Sequence, residues 1–518
     1  MPRQAGVGIN VFQSSQRHSE GAALELAWQS RTKNRAWEPN MAALTTDVFA
    51  NCFARSTPHR NACANPELGK SVERSYWQMI GGMPVNPAPT SNELPARATY
   101  VIVGGGFAGL STALRMKEMS PDADIVLIEA KTVGYGASGR NGGLMSPLPA
   151  PVWLTTALNN PSHARALGML NRKVADAAKW VANLAPQSEI AATELALEAT
   201  GCVTDAGLAQ VSATLTTAGI AHSFATGMTG NGPRSLRIAA NTVNPYKLVL
   251  GLAAAARARG IRIVEYTPVA NISDQSGNKT TSACITLQDG RTIVANRVVI
   301  TTNAYTSSIA LNEQPRAKVV HNYMLATKRL TPETLSRLQR TGRASGRFVV
   351  ELNAAYVFYR IHDGRLVFGG IEKLKQVDGG DLDVPTAVMK GLKKHLADTL
   401  DGLTLPEIEQ AWGGRFHMTS TDLPIIRRSA KSPSIIYNVG YGGTGVALTL
   451  SLAPVAAALA LGEPIEDAEL AEIYATMCST GLPVVGALRF AAGVIAAYVS
   501  QRWARRPGNI AKTVRFTR

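Results

Sequence analysis

Residues 99–143 read TYVIVGGGFAGLSTALRMKEMSPDADIVLIEAKTVGYGASGRNGG. Tyr100-Val101-Ile102-Val103 is an apolar, β-branched run with the composition of a buried strand. It enters Gly104-x-Gly106-x-x-Gly109, and Leu110 to Met119 then has helical periodicity. Asp124 to Ile128 is a second apolar strand, closed by Glu129. In such a unit Gly104 gives the tight turn, Gly106 the close approach to a pyrophosphate, and Gly109 the helix–strand contact. The N-terminus of that helix offers unpaired N–H groups and the positive end of a dipole, with Phe107 and Ala108 of the turn as candidate cofactor contacts. An acid in the place of Glu129 accepts hydrogen bonds from ribose hydroxyls. The unit therefore predicts a dinucleotide site.

The next stretch narrows the ligand. Five of the ten residues Gly134–Gly143 are glycine, so it is neither helix nor ordinary strand. One reading is a flexible loop. The other is backbone lying flat against a bulky planar group, with Arg140 and Asn141 as polar handles. A second glycine-rich turn, Gly440-Tyr441-Gly442-Gly443-Thr444-Gly445, links the buried run Ile435–Val439 to a helix expected over Val446–Leu461. A helix N-terminus there would stabilise negative charge on a ligand edge.

These segments together, V-I-V-G-G-G-F-A-G-L-S-T-A-L, L-I-E-A and G-A-S-G-R-N-G-G, resemble the D-amino-acid-oxidase-like flavoproteins, and most closely the γ-glutamylputrescine oxidase type. The resemblance implies FAD. It places Glu129 and Ala130 at the ribose, and Ser138, Gly139, Arg140, Asn141, Gly142 and Gly143 beside the flavin. It puts the backbone of Val269 at adenine, the Asn303-Ala304 turn near the pyrophosphate, and Gly414, Gly442, Gly443, Thr444 and Gly445 at the flavin. Some relatives attach flavin through a cysteine. None lies near Trp412 or Gly443, so the expectation is non-covalent FAD.

The implied fold class is α/β: a discontinuous Rossmann-like, three-layer FAD domain (99–187, 240–312, 410–465) with an α+β substrate domain built on an antiparallel sheet (188–239, 313–409). Residues 1–70 lack periodicity and read as a poorly ordered extension, with Met41 as an alternative start. Residues 71–98 read as an arm, anchored by Tyr76 and Trp77, and a proline-rich linker. Residues 466–518 read as a terminal helix and basic tail.

Apolar residues make up 45% of the 518, which marks a globular chain, and the 6% of aromatics argues against a stacking nucleic-acid binder. Net charge is +16. From Ser479 onward there are seven basic residues and no acid. That tail reads either as solvated or as a contact for an anionic surface. Leu482–Val499 is apolar but interrupted by Arg489, the pattern of an amphipathic rather than a spanning helix. The five cysteines form no C-x-x-C pair and the eight histidines no H-x-x-x-H, so no metal is expected. Scattered cysteines fit a reducing cytosol, with peripheral membrane contact through the tail as the alternative.

On this reading FAD takes a hydride from the C–H beside an amine nitrogen and water hydrolyses the imine. The substrate is a primary or secondary amine or amino acid. Oxygen is the simplest acceptor and a quinone the near rival. A flavin monooxygenase and a non-catalytic FAD- or nucleic-acid-binding protein are the rivals from other classes. Arg360 stands where the resemblance puts a carboxylate-binding arginine. Its alternative is an exposed strand arginine. Tyr323, Tyr356 and Tyr359 are candidate hydrogen-bond partners, and His417 is a candidate group titrating near neutrality.

Overall fold

A computed structural model describes residues 74–83, 94–148, 160–198, 205–225, 235–275, 281–340, 346–352, 357–373, 384–400, 402–419 and 423–479. The extension, Tyr356 and the basic tail lie outside these residues, as does a small strand expected near Gly201-Cys202-Val203.

The chain enters through a short helix, α1 (Tyr76–Ile80). Ser75 caps it, and Gln78 three residues on returns the favour through a reciprocal capping box. Tyr76 and Trp77 are both wholly buried. Burying each contributes on the order of 2–3 kcal/mol. The expected anchoring arm is therefore present, and it is part of the core.

The first sheet is organised around β1 (Arg97–Val103). On one side β1 pairs in parallel with β2 (Ile125–Ile128), and on the other with β3 (Thr292–Ile300). Val101, Ile102 and Val103 are almost fully buried, as a parallel strand covered on both faces requires. Between β1 and β2 runs α2 (Phe107–Met119), which starts three residues earlier than its apolar pattern suggests. A helix α3 (Pro161–Leu184) and a helix α4 (Pro245–Ala258) follow. Their N-caps are Asn160 and Asn244, each with Pro in the first turn.

From the sequence alone, the Asp289-Gly290 turn reads as closing a hairpin and Val298–Thr302 as a separate buried strand, and this needs correction. The hairpin strand after Asp289-Gly290 and the buried strand near Val298 are one continuous element, β3. It is antiparallel to Ala283–Leu287 at its start and parallel to β1 along its length. No turn residue interrupts Thr292–Ile300, so one strand serves both pairings.

The second sheet is mixed. Its order runs β6, β4, Arg365–Lys373, β5, Phe348–Glu351, Ala191–Glu198, Ser235–Thr242 and Leu144–Met145, where β4 is Lys318–Thr327, β5 is Val357–His362 and β6 is Ile408–Met418. All the pairs are antiparallel except Phe348–Glu351 with Ala191–Glu198. Asp363-Gly364, a dipeptide that signals a hairpin turn in the sequence, joins β5 to the next strand, with both turn residues at positive φ. The segment Ala411–Arg415, assigned from sequence to the first unit, lies instead in β6, whose register with β4 runs from Lys318↔Met418 to Thr327↔Ile408.

Alternation along these strands decides what faces what. Tyr323, Leu325, Tyr359 and Phe368 pack with Leu392 and Leu396 of the helix Thr386–Leu400. Met324, Val367 and Trp412 face the other way and share a core with Tyr76, Trp77 and Ile102. The second face is thus the one that meets α1 and β1.

The chain ends on β7 (Ile435–Val439), which pairs in parallel with the end of β3. The single helix expected over Val446–Leu461 is two, α5 (Gly445–Ser451) and α6 (Ala453–Leu461). Pro454 explains the break, because it has no N–H to continue the ladder and its ring disfavours helical backbone before it. A last helix, α7 (Ala468–Ser479), lies on α3 with Arg172–Glu469 and Lys173–Asp467 ion pairs, each at 2.6 Å. These pairs are exposed and add little to stability. Among the described residues no helix is long and apolar enough to cross a membrane.

Candidate cofactor and active site

At the end of β1 the chain turns at Gly104, whose φ is +118°. A Cβ there would lie 2.7 Å from Thr301 Oγ1, and that hydroxyl donates to Val103 O (2.8 Å) and Gly104 O (3.1 Å). A Cβ on Gly109 would lie 2.0 Å from Gly104 O, so only glycine lets α2 close on the turn. Gly106 caps α2 with no side chain. Phe107 N donates to Ser138 Oγ at 2.9 Å, which ties the first glycine turn to the second loop. The rest of the first helical turn keeps N–H groups for a ligand.

Glu129 stands beside this turn. Oε2 accepts from Gly105 N (2.7 Å) and Oε1 from Lys131 N (2.9 Å). Burial pushes its carboxyl above the usual range, and the two N–H donors oppose that. A carboxylate has about four acceptor sites, so two remain for ribose hydroxyls. Ala130 is exposed beside it. Val269 is buried at the start of a strand, in the sheet that carries Glu129.

The second loop repeats the first. Gly134 has φ +74°, and a Cβ on Gly139 would lie 2.1 Å from Gly134 O. Arg140 is buried. Its Nε donates to Tyr135 O (2.7 Å), and Gly414 lies against its stem. Asn141 Nδ2 donates to Ala137 O (2.9 Å) and Ser138 O (3.1 Å), and its Oδ1 accepts from Gly143 N (2.8 Å). Trp412 Nε1 donates to Arg140 O at 2.8 Å. The two handles read from the sequence therefore help fix the loop's shape, Asn141 within it and Arg140 also through Gly413 O of β6 (3.4 Å). On a Gly142 Cβ the rings of Phe348 and Phe358 would close to 3.1 Å.

Asn303 joins the remaining segments. It holds φ +47°, and its Oδ1 accepts from His417 N (3.3 Å) and Gly440 N (3.2 Å). Gly442 N donates to His417 O at 3.1 Å. Ala304 beside it is buried. Gly440, Gly442 and Gly443 all have positive φ, and Thr444 begins α5 without a side-chain cap, so that helix start too offers N–H groups. The β7 turn and the end of β6 thus meet at Asn303, while the β1 turn packs on Thr301 and Gly136 of the second loop approaches Tyr305, both close to Asn303 in sequence.

The expected substrate residues separate. Arg360 is 6% exposed and lies on the face of β5 toward α1. Nη2 donates to Val243 O (2.8 Å), the guanidinium lies 4.8 Å from the Trp77 ring, and burial pulls its pKa down to about 10. Among the described residues it has no carboxylate in ion-pair contact, and its Nε has no hydrogen-bond partner. The exposed-arginine reading is thereby removed. Tyr359 and Tyr323 point to the opposite face, into the core of the helix Thr386–Leu400. Burial pushes the Tyr323 phenol up to about 12. The structure does not bring these tyrosines to Arg360.

His417 is 3% exposed, and burial, with Arg415 nearby, pulls its pKa down to about 4. It does not titrate near neutrality in the fold, against the expectation from sequence. In the unfolded chain it titrates near 6.5. Between these values the unfolded state binds the extra proton, so the contribution is full above pH 6.5 and is lost as pH falls toward 4. The loss is at most about 3 kcal/mol. Urea midpoints from pH 4 to 7 should therefore slope less in His417→Gln than in the native chain. Equal slopes would show that this ring is not the titrating group.

Sequence reasoning missed Ser75, Gln78, Thr301 and the indole of Trp412. The Ser-x-x-Gln spacing of a capping box was legible, but the partners of the other groups are distant in sequence. No cluster of His, Cys, Asp and Glu among the described residues could hold a metal.

Residues 99–459 match the family model described as "DAO: FAD dependent oxidoreductase". The chain is 26% identical over 413 residues to the probable oxidoreductase OrdL of Rhizobium meliloti, covering 76% of this chain and 89% of that one. It is 28% identical over 410 residues to the gamma-glutamylputrescine oxidoreductase of Escherichia coli, with the same coverage. Its fold is that of the L-proline dehydrogenase of P. horikoshii: the TM-score is 0.59 at 15% identity, covering 74% of this chain and 99% of the other. The glycine cradles and the paired Glu129 suit an FAD, and with the match across both sheets they make this chain a member of the DAO family of FAD-dependent oxidoreductases.

Proposed function

We propose that the chain oxidises the C–N bond of an amino acid or a carboxylate-bearing amine, and that the imine formed is hydrolysed by water. The observation that carries this reading is Arg360: a buried cation, on the sheet face toward the glycine loops, with no carboxylate in contact among the described residues. A buried charge is costly unless paired, and a substrate carboxylate would complete it. The names of two similar proteins, gamma-glutamylputrescine oxidoreductase and L-proline dehydrogenase, point the same way.

When bound, FAD supplies the hydride acceptor, so the protein needs few catalytic groups. Arg360 holds the substrate by its carboxylate. Tyr323 and Tyr359, on the far face, pack the sheet against the helix Thr386–Leu400. His417 stays neutral at working pH and carries the β6 end to the Gly440–Gly445 turn through its backbone. The start of α5 would favour negative charge on the ligand facing it. Oxygen is the proposed acceptor, with peroxide as product.

The test is a panel of amino acids, each paired with its decarboxylated amine, followed by peroxide release with and without an artificial acceptor. Arg360→Met should raise KM for the acid of an active pair by about 10- to 100-fold, the value of a charge-assisted hydrogen bond. It should leave KM for the amine within about twofold. Equal effects on both members would remove Arg360 from the substrate. Turnover only with the artificial acceptor would replace oxygen by a quinone.

A further inference from the structure

Every backbone carbonyl from Gly134 to Asn141 is engaged by a protein donor. Gly134 O and Tyr135 O accept from Gln78 Nε2 at 3.0 and 3.3 Å, and Gly139 O accepts from Ser75 Oγ at 2.6 Å. Asn141 O accepts from Trp77 Nε1 at 2.7 Å, and Arg140 O from Trp412 Nε1. Gly136 O, Ala137 O and Ser138 O are taken within the loop by Gly139 N and Asn141 Nδ2. Half of this set therefore comes from three residues of α1 and its cap, some sixty positions earlier in the chain.

The arm is itself held. Tyr76 OH bonds His362 Nδ1 (2.9 Å), His362 Nε2 bonds Glu189 (2.9 Å), and the Arg360 guanidinium lies over Trp77. It sits where the second loop meets β5. Buried carbonyls need partners, but a loop of five glycines has few side chains to supply them. The arm supplies them from one side. A ligand against the loop then meets backbone whose acceptors are engaged and whose remaining capacity is N–H donation.

We propose that Ser75, Trp77 and Gln78 are positioning residues for the flavin. They hold the Gly134–Asn141 loop in one conformation that presents N–H donors to the acceptor atoms of the isoalloxazine ring. They act through the loop and touch neither flavin nor substrate. A donor-lined flavin is easier to reduce, so the arm also sets its potential.

The test uses full-length protein, with FAD binding to stripped protein followed by flavin fluorescence and the midpoint potential measured on the reloaded form. Trp77→Phe keeps an aromatic ring but removes the N–H together with part of the buried indole's volume, so the near-isosteric Gln78→Glu is read beside it. Gln78→Glu keeps the capping acceptor and turns a donor into an acceptor against two carbonyls. Each should weaken FAD by about tenfold or more, the value of one hydrogen bond left unmade, and lower the potential. Ser75→Thr should behave as the native chain and Ser75→Ala should not. Native FAD affinity, spectrum and potential in Trp77→Phe and Gln78→Glu would overturn the proposal, even with a lowered melting temperature, because that pattern is purely structural. The proposal rests on FAD as the occupant. Native protein that takes up no FAD would refute that assignment, whereas native uptake with unaltered variants refutes only the positioning role.

Discussion

Gly109→Ala should bind no measurable FAD and should unfold at markedly lower denaturant than the native chain. The added Cβ would stand 2.0 Å from Gly104 O and 2.8 Å from Thr301 Oγ1. The first of these is backbone fixed between β1 and α2, and it cannot rotate away. Either α2 moves off the sheet or the turn opens. Overpacking of this kind costs about 1–3 kcal/mol or more. Both movements also pull the N–H groups of the helix start away from the pyrophosphate, so FAD affinity falls by more than about 100-fold on a loss of two such bonds. Gly290→Ala is the control. It too has positive φ, +87°, but nothing lies within 4 Å of the added Cβ. It should cost about 1 kcal/mol of backbone strain and leave FAD binding unchanged. Urea unfolding and an FAD titration of the two variants check both statements. Native affinity in Gly109→Ala would show that α2 can shift without harm to the site.

Asn303→Ala should be the next most damaging change. Asn303 tolerates φ +47°, and its Oδ1 is the shared acceptor of His417 N and Gly440 N. Alanine loses both bonds and dislikes the backbone. The sum is about 2–4 kcal/mol. Asn303→Gly relieves the backbone but not the two orphaned N–H groups, so it should fall between alanine and the native chain. Asn303→Asp keeps the acceptor and should keep most of the stability. A ranking with glycine no better than alanine would remove the strain argument. An aspartate as poor as alanine would remove the hydrogen-bond argument.

The parts of the fold legible in the sequence were those fixed by short-range chemistry. β1, the Gly104 turn, α2 and Glu129 lie within about thirty residues, and each local preference agrees with its neighbours. The Asp363-Gly364 hairpin was readable for the same reason. The arm was less so. Tyr76 and Trp77 announced burial, but their partners at Asn141 and His362 are separated from them by 64 and 286 positions. Gly414 illustrates a different limit. The resemblance put its segment in the cofactor domain, whereas its strand pairs throughout with β4. Residue type alone does not say which sheet a strand joins. Tyr359 was a candidate hydrogen-bond partner beside Arg360, yet adjacent residues on a strand face opposite ways. Composition could nominate the side chains; the pleat sorted them into a packing face and a site face.

The most direct test is anaerobic mixing of the FAD-loaded protein with carboxylate-bearing amines and amino acids, and separately with NADPH, while the visible flavin band is recorded. The band should bleach with at least one amine or amino acid and persist with NADPH. Bleaching by NADPH alone, with no amine or amino acid able to reduce the flavin, would contradict it.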